Sequence, residues 1–432
     1  MKRLIAILLT LALIFSLAAC GGEQTPTGDG SVTSGTDDGQ TNTDTNTNTE
    51  TGYAETVFAA DRVFSTSSGV TTLNDLSNTY YKLTQEKKLT VGYLGGSVTD
   101  GTGGTDGYCW AKGVTDWLKA SFPSAEITES NNGWGNKSSL WGYFRADGDT
   151  DWGRSSLGKS LIEAKPDLVF LEFAINDWLV RMPEMRTVHY MEGIINKIRD
   201  ALPETDIIIV FITEEAYVGK DLPTAPAQQK LADFYGIPTI DVGAALSDYI
   251  AKTGTPFGDL FTDNVHPNNA GYKVYADCIA EYLKEKLITK HPNPTGVKNC
   301  EMPSEWYLSN GTKKSVIVTA EQIAETTDVT GWTLMKSPSN QVGCFGKSLY
   351  GRDGQKITYE FEGTGFCMMV DGKVGSAVKY VVDGKEQGAV SVANSIHTEL
   401  MVVENLAPGK HKIELTIASG ERFIIGAFMI EQ

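Results

Sequence analysis

At 432 residues, 41% hydrophobic and 21% charged, the chain has the composition of ordinary globular protein and the length for about two domains. A net charge of −17 makes nucleic acid a poor partner, because a phosphate backbone would meet an excess of carboxylates. The six cysteines contain no CxxC pair, so zinc and dithiol redox chemistry have no sequence signature; an odd five remain after Cys20, of which Cys344 and Cys367 are spaced so that a bridge stays open.

Residues 1–20, MKRLIAILLTLALIFSLAAC, have a basic start, an apolar run and a small-residue end, as an export signal does. The ending Leu17-Ala18-Ala19-Cys20 resembles a bacterial lipobox, which implies lipidation of Cys20, an extracellular location and contact with the cell membrane through that anchor only. The alternative is a plain secretory signal. Residues 21–52 are Gly, Thr, Asn, Ser and Asp with almost no apolar side chain, an acidic stretch that cannot bury enough area to offset the entropy of ordering and reads as a disordered linker. Residues 53–88 read as a lead-in that packs on the domain C-terminal to it.

From about residue 85, short apolar runs alternate with amphipathic stretches, which predicts an α/β domain with a parallel sheet covered by helices, over 53–290 including the lead-in. LTVGYLGG, EITESN, DLVFLEFAIND, DIIIVFIT and IPTIDV read as five strands. WAKGVTDWLKASF, SSLGKSLIEAK, VHYMEGIINKIRDAL, APAQQKLADFYG and NNAGYKVYADCIAEYLKEKL read as helices. Residues 291–300, with two prolines and a glycine, are a linker. Over 301–432 the period changes to two, with DG and PGK turns, which predicts an antiparallel β-sandwich.

Four stretches fall where strands of an open parallel sheet end, the edge at which such folds collect working groups. They are Gly95-Gly96-Ser97 after the first strand, NNGWGNKSS (131–139) after the second, AIND (174–177) after the third, and DNVH (263–266) before the last helix. Each has a bland alternative: a glycine turn with a serine cap, a turn glycine, a strand-end cap, a loop-holding Asp-x-x-His. Their order resembles the SGNH hydrolase superfamily, also called GDSL esterases, over roughly residues 85–290. GGS stands where GDS is the better-known form, as in carbohydrate-directed members, and Ala174 replaces the glycine that usually opens the third block.

The resemblance implies a flavodoxin-like α/β/α domain, no cofactor and no metal, with Ser97 as nucleophile, His266 as base and Asp263 as the acid that orients it. It assigns the oxyanion hole to the backbone N–H groups of Ser97 and Gly133 and the side-chain amide of Asn176, and gives Asp177 a supporting role. The residue types suit the chemistry: a serine hydroxyl needs a base to take its proton, the imidazole needs one tautomer and a partner for its charge, and the oxyanion needs preorganised donors. Trp134 and Trp178 are candidates for stacking on a sugar ring, against the usual role of tryptophan as core or cleft wall. Trp141 lies in the same region, and Arg145 and Arg154 come later, in the segment before the third strand. His189, His291, His397 and His411 have no acid partner legible in the sequence.

Tethering, the GGS block and a sandwich that looks like the jelly-roll modules of carbohydrate esterases lead to an extracellular esterase whose partner is an acylated polysaccharide, with acetylated xylan as the first expectation. A lipid or short-chain acyl esterase is the second enzyme reading, and a non-catalytic glycan-binding lipoprotein the reading from another class. The sandwich either binds sugar or shields part of the hydrolase domain.

Overall fold

The apolar runs that alternate with amphipathic stretches become the strands of one sheet: β1 (Lys88–Gly95), β2 (Glu126–Asn131), β3 (Leu168–Glu172), β4 (Asp206–Phe211) and β5 (Thr239–Asp241). The structure is a computed structural model and describes residues 64–65, 75–147, 159–308, 314–338, 342–372, 375–392, 399–419 and 422–432. Cys20, the expected signal at 1–20, the linker at 21–52, Arg154 and His397 lie outside the described residues. No described helix is long and apolar enough to cross a membrane.

The five strands are mutually parallel in the order β2-β1-β3-β4-β5, and the two-residue strand Phe64–Ser65 adds antiparallel to β5 at one edge. This is the flavodoxin-like order, with its switch point between β1 and β3. β3 and β4 are buried along their whole length, as expected of strands covered on both faces. One group of mutually packed helices comprises Trp110–Ser121, Val242–Thr253 and Asn269–Lys284, and another Ser139–Asp147, Glu184–Ala201 and Ala225–Tyr235. The described part of SSLGKSLIEAK departs from the expected helix. It makes turns, with Ala164 N–H donating to Ser160 O, and Lys165 takes left-handed backbone (φ 50°) just before Pro166, which disfavours helical geometry at the residue preceding it.

The C-terminal region is antiparallel throughout. One sheet runs Lys356–Gly363, Gly409–Ser419, Ala377–Val382 and Lys385–Ser391 in spatial order. The other runs Glu399–Val403, Gly365–Gly372, Phe423–Glu431, Lys347–Gly351 and Thr333–Lys336, with Ser315–Thr319 also paired to Phe423–Glu431. Their inner faces meet in a core that includes Ile357, Phe361, Val378, Ile413, Phe366, Met368 and Phe428, which makes the region a sandwich.

The second sheet is buried on its other face too. Along Gly365–Gly372, Phe366, Met368 and Val370 point into the sandwich, whereas Cys367 and Met369 join the hydrophobic core of the α/β region. Ile424, Ala427 and Met429 do the same from Phe423–Glu431, which is why all nine residues of that strand are buried. Cys344 and Cys367 are separate buried thiols in this shared core.

Polar bonds cross the same boundary. The buried Lys197 ammonium donates to Tyr143 O, Asp147 Oδ1 and Ser315 Oγ, at 2.8, 2.8 and 2.5 Å. The Glu192 carboxylate accepts from the Tyr307 and Leu308 backbone N–H groups, and Arg186 makes a two-pronged pair with Glu404.

Candidate active site

β1 ends at Gly95, Gly96 caps, and residues 97–100 form one helical turn, so Ser97 stands at the first helical position just past the carboxyl end of the strand. An N–H at that position has no carbonyl partner within its own turn and is available to a ligand. Ser97 is 7% exposed.

The late block arrives on a loop closed by the Phe261–Pro267 bridge and by Thr262 N–H donating to His266 O. The helix Asn269–Lys284 comes next, capped by the Asn268 side chain, which accepts from the Ala270 and Gly271 N–H groups. This fixes His266 over the serine. His266 Nε2 lies 2.8 Å from Ser97 Oγ, and Nδ1 lies 2.8 Å from Asp263 Oδ2. The other oxygen of Asp263 accepts the backbone N–H groups of Val265 and His266, each at 2.8 Å. Burial raises the Asp263 pKa, but the bonds from His266 and Val265 outweigh it and hold the carboxyl below its ordinary value.

Asn176 lies past the end of β3, across the switch point, on the short helix Ala174–Leu179. Its side chain rests on the backbone of residue 96: a Cβ built at Gly96 would lie 1.9 Å from Asn176 Oδ1. Asp177 is fully buried, accepts Ser139 N–H at 2.8 Å and Gln228 Nε2–H at 3.1 Å, and is pushed up to about 7 by burial.

The glycine block folds back on its own loop and on the serine turn. Gly133 N–H already donates to Asn131 Oδ1 at 2.9 Å, and its Cα packs on the backbone of Thr99 and Asp100, so the amide is engaged within its own loop. The glycine of this block that faces the serine is Gly135, whose would-be Cβ has Ser97 Cβ as its neighbour at 3.9 Å. Trp134 between them is 6% exposed, belongs to the shared core and donates its backbone N–H to Gly95 O, so its ring offers little face to a sugar. Trp141 is fully buried in that core.

Trp178 is half-buried and held on three sides. Its indole N–H donates to Glu214 Oε1 at 2.9 Å, Tyr217 meets it edge-on at 5.2 Å, and the Arg181 guanidinium lies 3.5 Å above the ring centroid. Arg145 is buried, donating to Lys159 O, and burial lowers it to about 10.

Two histidines have acid neighbours that the sequence did not reveal. His411 Nδ1 lies 2.7 Å from Asp383 Oδ2, and His189 Nε2 lies 3.5 Å from Glu431 Oε2. His291 stacks on Tyr80. Among the described residues no cluster of His, Cys, Asp and Glu could hold a metal ion.

One group was missed altogether. Glu172, the last residue of β3, is fully buried beneath the serine turn, where it accepts Thr99 Oγ1–H at 2.8 Å. Burial pushes it up to about 8, favouring the neutral acid. Its place inside the apolar run DLVFLEFAIND was the available signal, since an acid there must be buried.

Residues 93–274 match the family model described as the GDSL-like Lipase/Acylhydrolase family. Among solved structures, a two-domain esterase active on acetylated mannans, co-crystallised with mannopentaose, is 20% identical with a TM-score of 0.70, covering 86% of this chain and 97% of its own. A second structure described as a two-domain esterase active on acetylated mannans is 21% identical with a TM-score of 0.69, covering 83% and 95%. At such identities the likeness is one of fold, and it extends through both the α/β region and the sandwich. No curated protein matches the chain.

Proposed function

Because residues 93–274 are a domain of the GDSL-like lipase/acylhydrolase family, we propose that this chain is a serine ester hydrolase that removes acyl groups, acetyl foremost, from a polysaccharide. The observation that carries the reading is the unbroken line Ser97 Oγ, His266 Nε2, His266 Nδ1, Asp263 Oδ2, with 2.8 Å at each of its two contacts.

Ser97 Oγ attacks the ester carbonyl carbon while His266 Nε2 takes its proton, and Asp263 holds the other ring nitrogen and balances the imidazolium charge. The carbonyl oxygen, now an oxyanion, is met by the N–H of Ser97, the N–H of Gly135 in place of Gly133, and the amide of Asn176. Collapse breaks the bond to the sugar oxygen, which takes the proton from His266. Water then attacks the acyl-serine, giving one proton to His266 and leaving as the carboxylic acid once Ser97 Oγ recovers it. No step calls for a cofactor.

The carbohydrate assignment rests on the GGS block, the C-terminal sandwich and the neighbours' activity on acetylated mannans. Acetate release from acetylated xylan and acetylated mannan, set beside p-nitrophenyl ester hydrolysis, tests it; a clear preference for octanoate over acetate sinks it in favour of a lipid esterase. We further propose export with a lipid anchor at Cys20. Cys20→Ala should move the protein from the membrane fraction to the medium, and no change in partition would defeat the anchor.

A further inference from the structure

The helix Ala174–Leu179, which presents Asn176, ends in a manner that fits glycine better than the residue found there. Arg181 N–H donates to Trp178 O at 2.9 Å and Met182 N–H to Asp177 O at 2.8 Å, the paired bonds of a helix stop whose penultimate residue is left-handed. That residue is Arg181, with φ 56°. Glycine would adopt this conformation without strain, so the arginine is kept against a local preference.

Its guanidinium carbon lies over the Trp178 ring, 3.5 Å from the centroid, and the residue is exposed. Only one of its five N–H donors has a partner among the described residues, the Trp178 carbonyl at 3.5 Å, and no carboxylate pairs with it there. The platform beneath it is fixed: the Trp178 N–H is held by Glu214, itself only 8% exposed, and Tyr217 braces the ring edge. Glu215 N–H donates to Asn264 O at 2.9 Å, which ties this assembly to the loop of Asp263 and His266. A guanidinium thus stands on a braced aromatic base at the end of the oxyanion helix, and the brace is tied to the base loop.

We propose that Arg181, supported by Trp178 and Glu214, is a sugar subsite that takes vicinal hydroxyls of the pyranose next to the acylated one. The inference rests on the polysaccharide esterase reading. A guanidinium presents two parallel N–H groups at the spacing of adjacent oxygens, and a cation–π seat on an indole restricts its position before the ligand arrives. Trp178 then serves as the bed of the arginine, with that face of its ring already covered.

The test compares kcat/KM on acetylated xylo- and manno-oligosaccharides with kcat/KM on p-nitrophenyl acetate, in the parent, Arg181→Gly and Arg181→Lys. Glycine suits the backbone at 181, so Arg181→Gly keeps its thermal midpoint. The ratio of oligosaccharide to p-nitrophenyl acetate should fall about tenfold, chiefly through KM, and lysine should restore only part of it. An unchanged ratio in Arg181→Gly overturns the subsite and leaves the esterase reading standing. A parent enzyme that hydrolyses p-nitrophenyl acetate but releases no acetate from either glycan overturns both.

Discussion

The carboxamide of Asn176 occupies the space that a side chain at residue 96 would need, with Oδ1 1.9 Å and Cγ 2.6 Å from a Cβ built on Gly96. The second glycine of the GGS block is therefore there for the third block as much as for the serine. Gly96→Ala should act by displacing Asn176, so it and Asn176→Ala should each lower kcat on p-nitrophenyl acetate by about two to three orders of magnitude. The double variant should be little worse than either alone, since both remove one donor. Additive losses would mean that the two residues act separately.

Ser97→Ala and His266→Ala should each reduce turnover by roughly three orders of magnitude or more, with the pair no worse than one, because they act as a unit. Burst kinetics with p-nitrophenyl acetate would report the acyl-serine directly. Turnover in Ser97→Ala equal to the parent's would remove the mechanism.

The two glycines around Trp134 should separate cleanly. Gly133→Ala drives a methyl to within 2.4 Å of Asp100 N, so the thermal midpoint should fall. Gly135→Ala meets only ordinary contact with Ser97 and should fold as the parent does. Gly135→Pro removes the N–H itself and should cost about two orders of magnitude in kcat. A folded Gly135→Pro protein with parental kcat would return the oxyanion role to another donor.

Glu172 predicts a pH dependence of stability. Burial raises its pKa from the ordinary 4.5 to about 8, so the folded state holds a proton that the unfolded chain has released across that interval. Stability from this group is fully present below about pH 4.5 and declines as pH rises towards 8. Glu172→Gln keeps a neutral group of the same shape, so its thermal midpoint relative to the parent should climb between those pH values. A difference that stays flat with pH would show that Glu172 is ionised in the fold.

The core that Cys367, Met369, Ile424, Ala427 and Met429 share with the α/β region predicts that residues 53–300 produced alone will melt lower or aggregate. Differential scanning calorimetry of that fragment against the full chain, with an equal midpoint as the contrary result, decides it.

The inner strands were legible because parallel strands leave continuous apolar runs, whereas the edge strand EITESN, with one apolar residue, still matches β2 residue for residue. The serine, asparagine and Asp-x-x-His stretches were legible because strand ends place them at one rim. The partner of the Gly133 N–H was not, since it depends on where the Asn131 side chain turns. Nor was the second buried face of Phe423–Glu431: a two-residue period says which side chains share a face, and nothing about what covers it.

That covered face limits how this architecture can change over time. A β-module exchanged for a foreign one would need its own thiol, thioether and methyl groups at the places of Cys344, Cys367, Met369 and Ala427 to fit the same bed. The two regions should consequently be inherited as a matched pair, and hybrids between distant lineages should fail at the seam before they fail at the serine.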